Sequence, residues 1–222
     1  MNAERFAKGR TFDEYVKYTG SPENLAREAF GGTYLPDAGS TGGPRKDNSA
    51  IFRDRYAKAK LTDQQVAAIK ALAAKPGGPA KIMMISEDWS SDCRRDVPWI
   101  ARLAEAGGLE LRIFNRDGQK ILGQRRPDMA KYPDSNHDLM LQYMKQARGE
   151  EWAALHVTVV FTKDFTELHR YIEFPAIYHK DDIRKGLSME QFVALQGSPF
   201  FDIWASAGID EILSGLYEKL PK

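Results

Sequence analysis

One short segment limits what this chain can become. Lys81-Ile82-Met83-Met84-Ile85-Ser86 is nearly all apolar and follows the helix-stopping run Lys75-Pro76-Gly77-Gly78-Pro79. A strand with no polar alternation belongs in a sheet buried on both faces, so other layers must cover that sheet on each side. From Ala80 onward the pattern alternates between strands and helices. Asp92 to Ala106 carries a helical core stripe of Val97, Ile100, Ala101, Leu103 and Ala104, and Gly107-Gly108 ends it. Leu109 to Asn115 alternates as a strand. A charged, Pro-containing excursion from Asp117 to Asp134 leads to an expected helix from Asn136 to Ala147. His156 to Phe161 and Thr166 to Phe174 read as two strands joined by a turn at Lys163-Asp164. Helices near Ser188–Leu195 and Ile209–Leu220 close the chain.

The residues ahead of this core read differently. Thr11 caps a short helix from Phe12 to Tyr18, and Thr62 opens another with Val66, Ile69, Leu72 and Ala73 on its buried side. Gly31-Gly32-Thr33 through Gly42-Gly43-Pro44 reads as a loop or linker. It lacks the Gly-Lys-Ser/Thr ending and the preceding strand of a phosphate-binding loop. The expected organisation is one domain over 1–222: a helical N-terminal extension (1–79), a core (80–180) and a helical C-terminal extension (181–222).

Charge and composition exclude several classes of function. In 222 residues, 32 Lys and Arg offset 31 Asp and Glu, so no global field recruits nucleic acid or an anionic membrane. No run reaches the ~18 apolar residues of a membrane span, and the N-terminal residues lack a signal-peptide core. A single cysteine rules out an internal disulfide and fits a reducing, cytoplasmic setting. The four histidines, His137, His156, His169 and His179, show no metal-site spacing, so the sequence argues for neither a metal nor a cofactor.

Between the first strand and its helix lies Glu87-Asp88-Trp89-Ser90-Ser91-Asp92-Cys93, with Pro98 five residues past the cysteine. This resembles the Trp-Cys-x-x-Cys signature of the thioredoxin superfamily, and most closely a bacterial branch reading Glu-Asp-Trp-Cys-Gly-Asp-Cys. Asn136-His137-Asp138-Leu139-Met140-Leu141-Gln142-Tyr143 is similar to a helix that this branch carries before its hairpin. The resemblance covers roughly residues 60–178. It implies an α/β fold, a thioredoxin-like three-layer sandwich around a central mixed sheet. A cysteine in the first helical turn faces unpaired N–H groups and the positive end of the helix dipole, which favour the nucleophilic thiolate.

Three departures alter what the resemblance implies. Ser90 stands in place of the attacking cysteine, so a dithiol cycle cannot run within one chain. Met84 stands where classical thioredoxins bury an acid. His156 stands where the family has a cis-proline, and a trans bond is expected because a cis bond before a non-proline residue costs about 2.5–4 kcal/mol.

Two functions stay open. One is a single-cysteine thiol oxidoreductase or peroxidase-like enzyme acting on a thiol or other small substrate. In it Cys93 is the catalytic thiol and Ser90 its hydrogen-bond donor, as in the Thr-x-x-Cys arrangement of peroxiredoxins. Trp89, His156 and Arg94 are then candidate substrate contacts, and Arg94 or Arg95 a thiolate stabiliser. The other is a non-redox binding module for a small molecule or peptide, with Cys93 as a buried core residue. Glu173-Phe174-Pro175-Ala176 resembles the branch's Pro-containing segment, which brings Tyr178, His179 and Lys180 near the site rim. Phe200, Phe201 and Trp204 are expected to cover the sheet.

Overall fold

The computed structural model describes residues 1–29, 45–122, 126, 128–147, 149–178 and 186–221. The Gly-rich stretch from Gly31 to Pro44 and the rim candidates His179 and Lys180 lie outside them. At the centre are four strands: β1 (Lys81–Ser86), β2 (Glu110–Asn115), and the hairpin pair Val157–Phe161 and Glu167–Ile172. A small separate hairpin, β3 (Lys145–Ala147) and β4 (Glu150–Trp152), precedes that pair in sequence, which makes its strands β5 and β6. The order across the main sheet is β2-β1-β5-β6. β1 runs parallel to β2 and antiparallel to β5, and β5 runs antiparallel to β6. This mixed sheet and its helices form the expected thioredoxin-like fold.

Every residue of β1 from Ile82 to Ser86 is buried, as is all of β5. Successive strand side chains point to opposite faces, so both faces of the inner strands are covered. The crossover from β1 to β2 is α6 (Ser91–Gly107), and Gly108, at φ 65°, ends it in the left-handed conformation that glycine adopts without a Cβ penalty.

Among the described residues five helices precede the sheet: α1 (Ala3–Ala7), α2 (Phe12–Thr19), α3 (Pro22–Leu25), α4 (Ser49–Lys58) and α5 (Asp63–Ala73). Thr11 and Thr62 head complete capping boxes with Glu14 and Gln65. α4 and α5 pack against α6. After the hairpin come α8 (Met189–Gln196) and α9 (Phe200–Lys219), and α9 packs on β6, α6 and α5. Among the described residues no helix is long and apolar enough to cross a membrane.

The helix expected from Asn136 to Ala147 is cut short. Only α7 (His137–Met140) forms, and the chain turns into β3 and β4 through Gly149 at φ 74°. Leu139, Met140, Tyr143 and Met144 are all buried, and their spacing imitates a helical stripe. The polar residues of the segment do a different job: Arg5 donates to Asn136 Oδ1 at 2.7 Å and to Asp138 at 2.9 Å, pinning α1 across this region.

Ile85 is fully buried in β1, in register with Phe114 on one side and Val157 on the other. Ile85→Ala is expected to cost about 2–5 kcal/mol, the usual range for a large-to-small core change. A urea unfolding midpoint measured for both proteins checks this.

Candidate functional site

The motif turn joins the end of β1 to α6. Ser90 is the N-cap of α6, in extended backbone, and its Oγ accepts the Cys93 backbone N–H at 3.5 Å. Cys93 has no exposed surface, and its Sγ accepts the Glu87 backbone N–H at 3.3 Å. Burial pushes the Cys93 thiol up to about 11, while the Ser86 hydroxyl, the Glu87 N–H and the Ser90 hydroxyl pull the other way. Desolvation therefore outweighs the donors gathered around the sulfur.

The proposed contacts are each engaged by the surrounding protein. Arg94 folds back over the turn and donates to the carbonyl oxygens of Asp88 (3.1 Å) and Trp89 (2.9 Å), and burial lowers its proton affinity. Half-buried Trp89 donates its indole N–H to Asp117 Oδ2 at 3.1 Å. His156 is fully buried. Its Nε2 meets Asp96 Oδ2 at 2.7 Å and its Nδ1 meets Thr158 Oγ1 at 3.0 Å, so both ring nitrogens have partners other than Cys93. The Leu155–His156 bond is cis, which corrects the trans expectation; His156 is held there through both ring nitrogens and through its carbonyl, which accepts the Glu173 N–H at 2.8 Å. Met84 is fully buried within β1, as its place in the strand pattern requires.

Two buried ionic clusters flank Cys93, and sequence reasoning missed most of their members. On one side Arg95 pairs with Asp96, and with Asp92 at 2.9 Å, and donates to the Glu173 carbonyl at 2.7 Å. The Arg95 guanidinium lies over the rings of Phe201 and Trp204, 5.0 Å from each. Asp96 is held below its ordinary value: burial works against this, but Arg95 and His156 together outweigh it. On the other side Glu87 accepts Arg27 and Arg45 at 2.8 Å each, and Asp88 meets Arg45 at 3.1 Å. Asp117 takes Arg116 at 2.8 Å. Burial first, and the Asp117 carboxylate second, push Glu87 up to about 7 against the pull of Arg27 and Arg45. Among the described residues no group of three or more His, Cys, Asp or Glu side chains is arranged to hold a metal ion.

A family model described as Thioredoxin matches residues 43–133, a span that includes β1, the motif turn, α6 and β2. No curated protein matches the chain. Among solved structures, a protein of unknown function from Pseudomonas aeruginosa is similar, with a TM-score of 0.55 at 12% identity over 97% of this chain and 96% of that one. An HIV epitope-scaffold is similar with a TM-score of 0.54 at 13% identity, covering 98% of each chain. At such identities these two likenesses show the fold alone.

Two outcomes follow from the burial. The unfolded thiol loses its proton near 9 and the folded one at about 11. Between those values the folded state holds more protons, so stability falls as pH rises, by about 3 kcal/mol at most. Denaturant midpoints from pH 8 to 11 should show this slope in wild type and its loss in Cys93→Ala. Asp96→Asn removes the charge that Arg95 and His156 share, and is expected to cost about 3–5 kcal/mol by the same denaturation measurement.

Proposed function

Starting from a thioredoxin-like chain with no attacking cysteine, we propose a non-redox binding module, one that keeps the fold's groove beside the motif turn and the Leu155–His156 bend for a small molecule or an extended peptide. The observation that carries this reading is the closed sulfur: Cys93 has no exposed surface and its thiol is raised to about 11. At neutral pH such a thiol is almost wholly protonated, and the thiolate is the nucleophile. Ser90 is itself buried and engaged as a helix cap. Trp89 and Ser91 are the half-exposed residues of the turn and supply its contact surface. The single cysteine favours a cytoplasmic setting.

A second reading, a single-cysteine oxidoreductase within the same bacterial branch, draws on one observation. Three donors, the Ser86 hydroxyl, the Glu87 N–H and the Ser90 hydroxyl, converge on the Cys93 sulfur and would stabilise a thiolate once water reached it.

Iodoacetamide labelling separates the two. The folded protein is expected to label at least a hundredfold more slowly at pH 7.5 than the same protein in denaturant, and to leave insulin-type disulfides unreduced in the presence of a thiol reductant. Fast labelling of the folded protein, with a midpoint below the free-thiol value that rises in Ser90→Ala, would establish the oxidoreductase instead. Ser90→Cys should form an internal disulfide with Cys93 on oxidation, since the two positions lie three apart at the start of one helix.

A further inference from the structure

We propose that Glu87 is a proton-operated latch: its carboxylate ties Arg45, and with it the chain entering α4, to the motif turn, and a proton on that carboxylate lets Arg45 go.

The two oxygens of Glu87 are loaded unequally. Oε1 receives three donors: Arg27 Nη2 at 2.8 Å, the Asp117 backbone N–H at 2.8 Å and Asn115 Nδ2 at 3.4 Å. Oε2 receives Arg45 Nη2 at 2.8 Å. A proton arriving from solvent therefore settles on Oε2, where a lone pair is least committed, and there it meets the guanidinium N–H of Arg45. Two donors cannot share that contact, and the charge-assisted bond is lost.

The two arginines are anchored unequally as well. Arg27 also donates to the Gly118 carbonyl (2.8 Å), the Asp117 carbonyl (2.8 Å) and Asn24 Oδ1 (2.9 Å), so it stays in place. Arg45 keeps Asp88 at 3.1 Å and a long contact to the Glu28 carbonyl at 3.4 Å, and among the described residues its buried Nε has no partner. It is the loosest cation in the cluster. Behind it, Asn48 donates to Asp88 Oδ2 at 3.0 Å, and α4 packs on α6, so release is felt at the helix that carries Cys93.

Among the described residues, the charged and titratable groups around Glu87 come from every neighbouring element. They are Arg27 after α3, Arg45 before α4, Asp117 after β2, Asp88 in the same turn, Tyr15 and Tyr18 of α2, and Cys93 of α6, whose sulfur takes the Glu87 N–H. Asp96 provides the contrast within the same molecule. It is also buried, yet Arg95 and His156 hold it low, whereas at Glu87 burial first and the neighbouring Asp117 second outweigh the pull of Arg27 and Arg45.

The test uses wild-type protein. Carbon-detected NMR of the side-chain carboxyls is recorded from about pH 5 to 9, together with the arginine Nε–H resonances. The Glu87 carboxyl is expected to titrate near neutrality, the Arg45 Nε–H signal to move or broaden with the same midpoint, and the Arg27 signal to stay still. Asp117→Asn should shift that midpoint to lower pH. Glu87→Gln should hold the Arg45 signal at its wild-type acid position even at pH 8. A Glu87 midpoint in the ordinary carboxylate range, below about 5, overturns the proposal. So does an Arg45 signal that ignores the Glu87 transition.

Discussion

Asp96 holds a guanidinium and an imidazole at once, and much of the frame around the motif turn depends on that arrangement. Its carboxylate meets Arg95 from its own helix and His156 from the bend ahead of β5. Arg95 continues to the carbonyl of Glu173, a non-glycine residue in the left-handed region at φ 72°, whose N–H returns to the His156 carbonyl. Lys145 fixes the Glu173 side chain at 2.6 Å. One buried charge thereby ties α6, the start of β5, the end of β6 and the small hairpin together. A carboxylate in this position is tolerated because the Arg95 guanidinium pairs with it and the His156 ring meets it from the other element; left alone in the interior it would be strongly unfavourable.

The two ionic clusters take up the ground on either side of the motif, and this changes what the motif is. In a redox pair the helix N-terminus must face solvent with a nucleophile that can ionise. Here the first turns of α6 bury Asp92, Cys93, Arg95 and Asp96 together. The cap hydroxyl of Ser90 and the sulfur of Cys93 are spent on the local backbone. The turn has become a packed junction between charge networks, and its remaining surface belongs to Trp89, Ser91 and Arg94.

Much of the fold was legible because its signals are local. β1 announced itself as an unbroken apolar run, α6 by its stripe and its terminal glycines, β2 by alternation, and β5 and β6 as two strand-like runs joined by a turn. The motif placed Cys93 in the first turn of α6, and the structure has it there. What stayed illegible has two sources. Arg27 and Arg45 reach Glu87 across 60 and 42 residues, and no periodicity links such distant positions. The segment after α7 has helical spacing but not helical structure, because its apolar residues serve the core from an irregular path that ends in a hairpin. The expectation at His156 failed for a related reason. A local conformational preference was weighed without the contacts that hold the residue from Asp96, Thr158 and Glu173.

The Pro-Gly run before β1 suggests a place to cut the chain, leaving a smaller protein that begins at Ala80. The ion pairs forbid it. Such a fragment would keep Glu87, Asp88 and Asp117 but lose Arg27 and Arg45, and among the described residues Arg116 is the guanidinium it would still pair with them. Two of the three carboxylates would lose their arginines, and wherever the sheet still kept them from water that loss would be strongly unfavourable. Trimming the N-terminal helices is therefore closed to this sequence for as long as it retains those acids, since the helices are the counter-ion of the core and not an appendage to it.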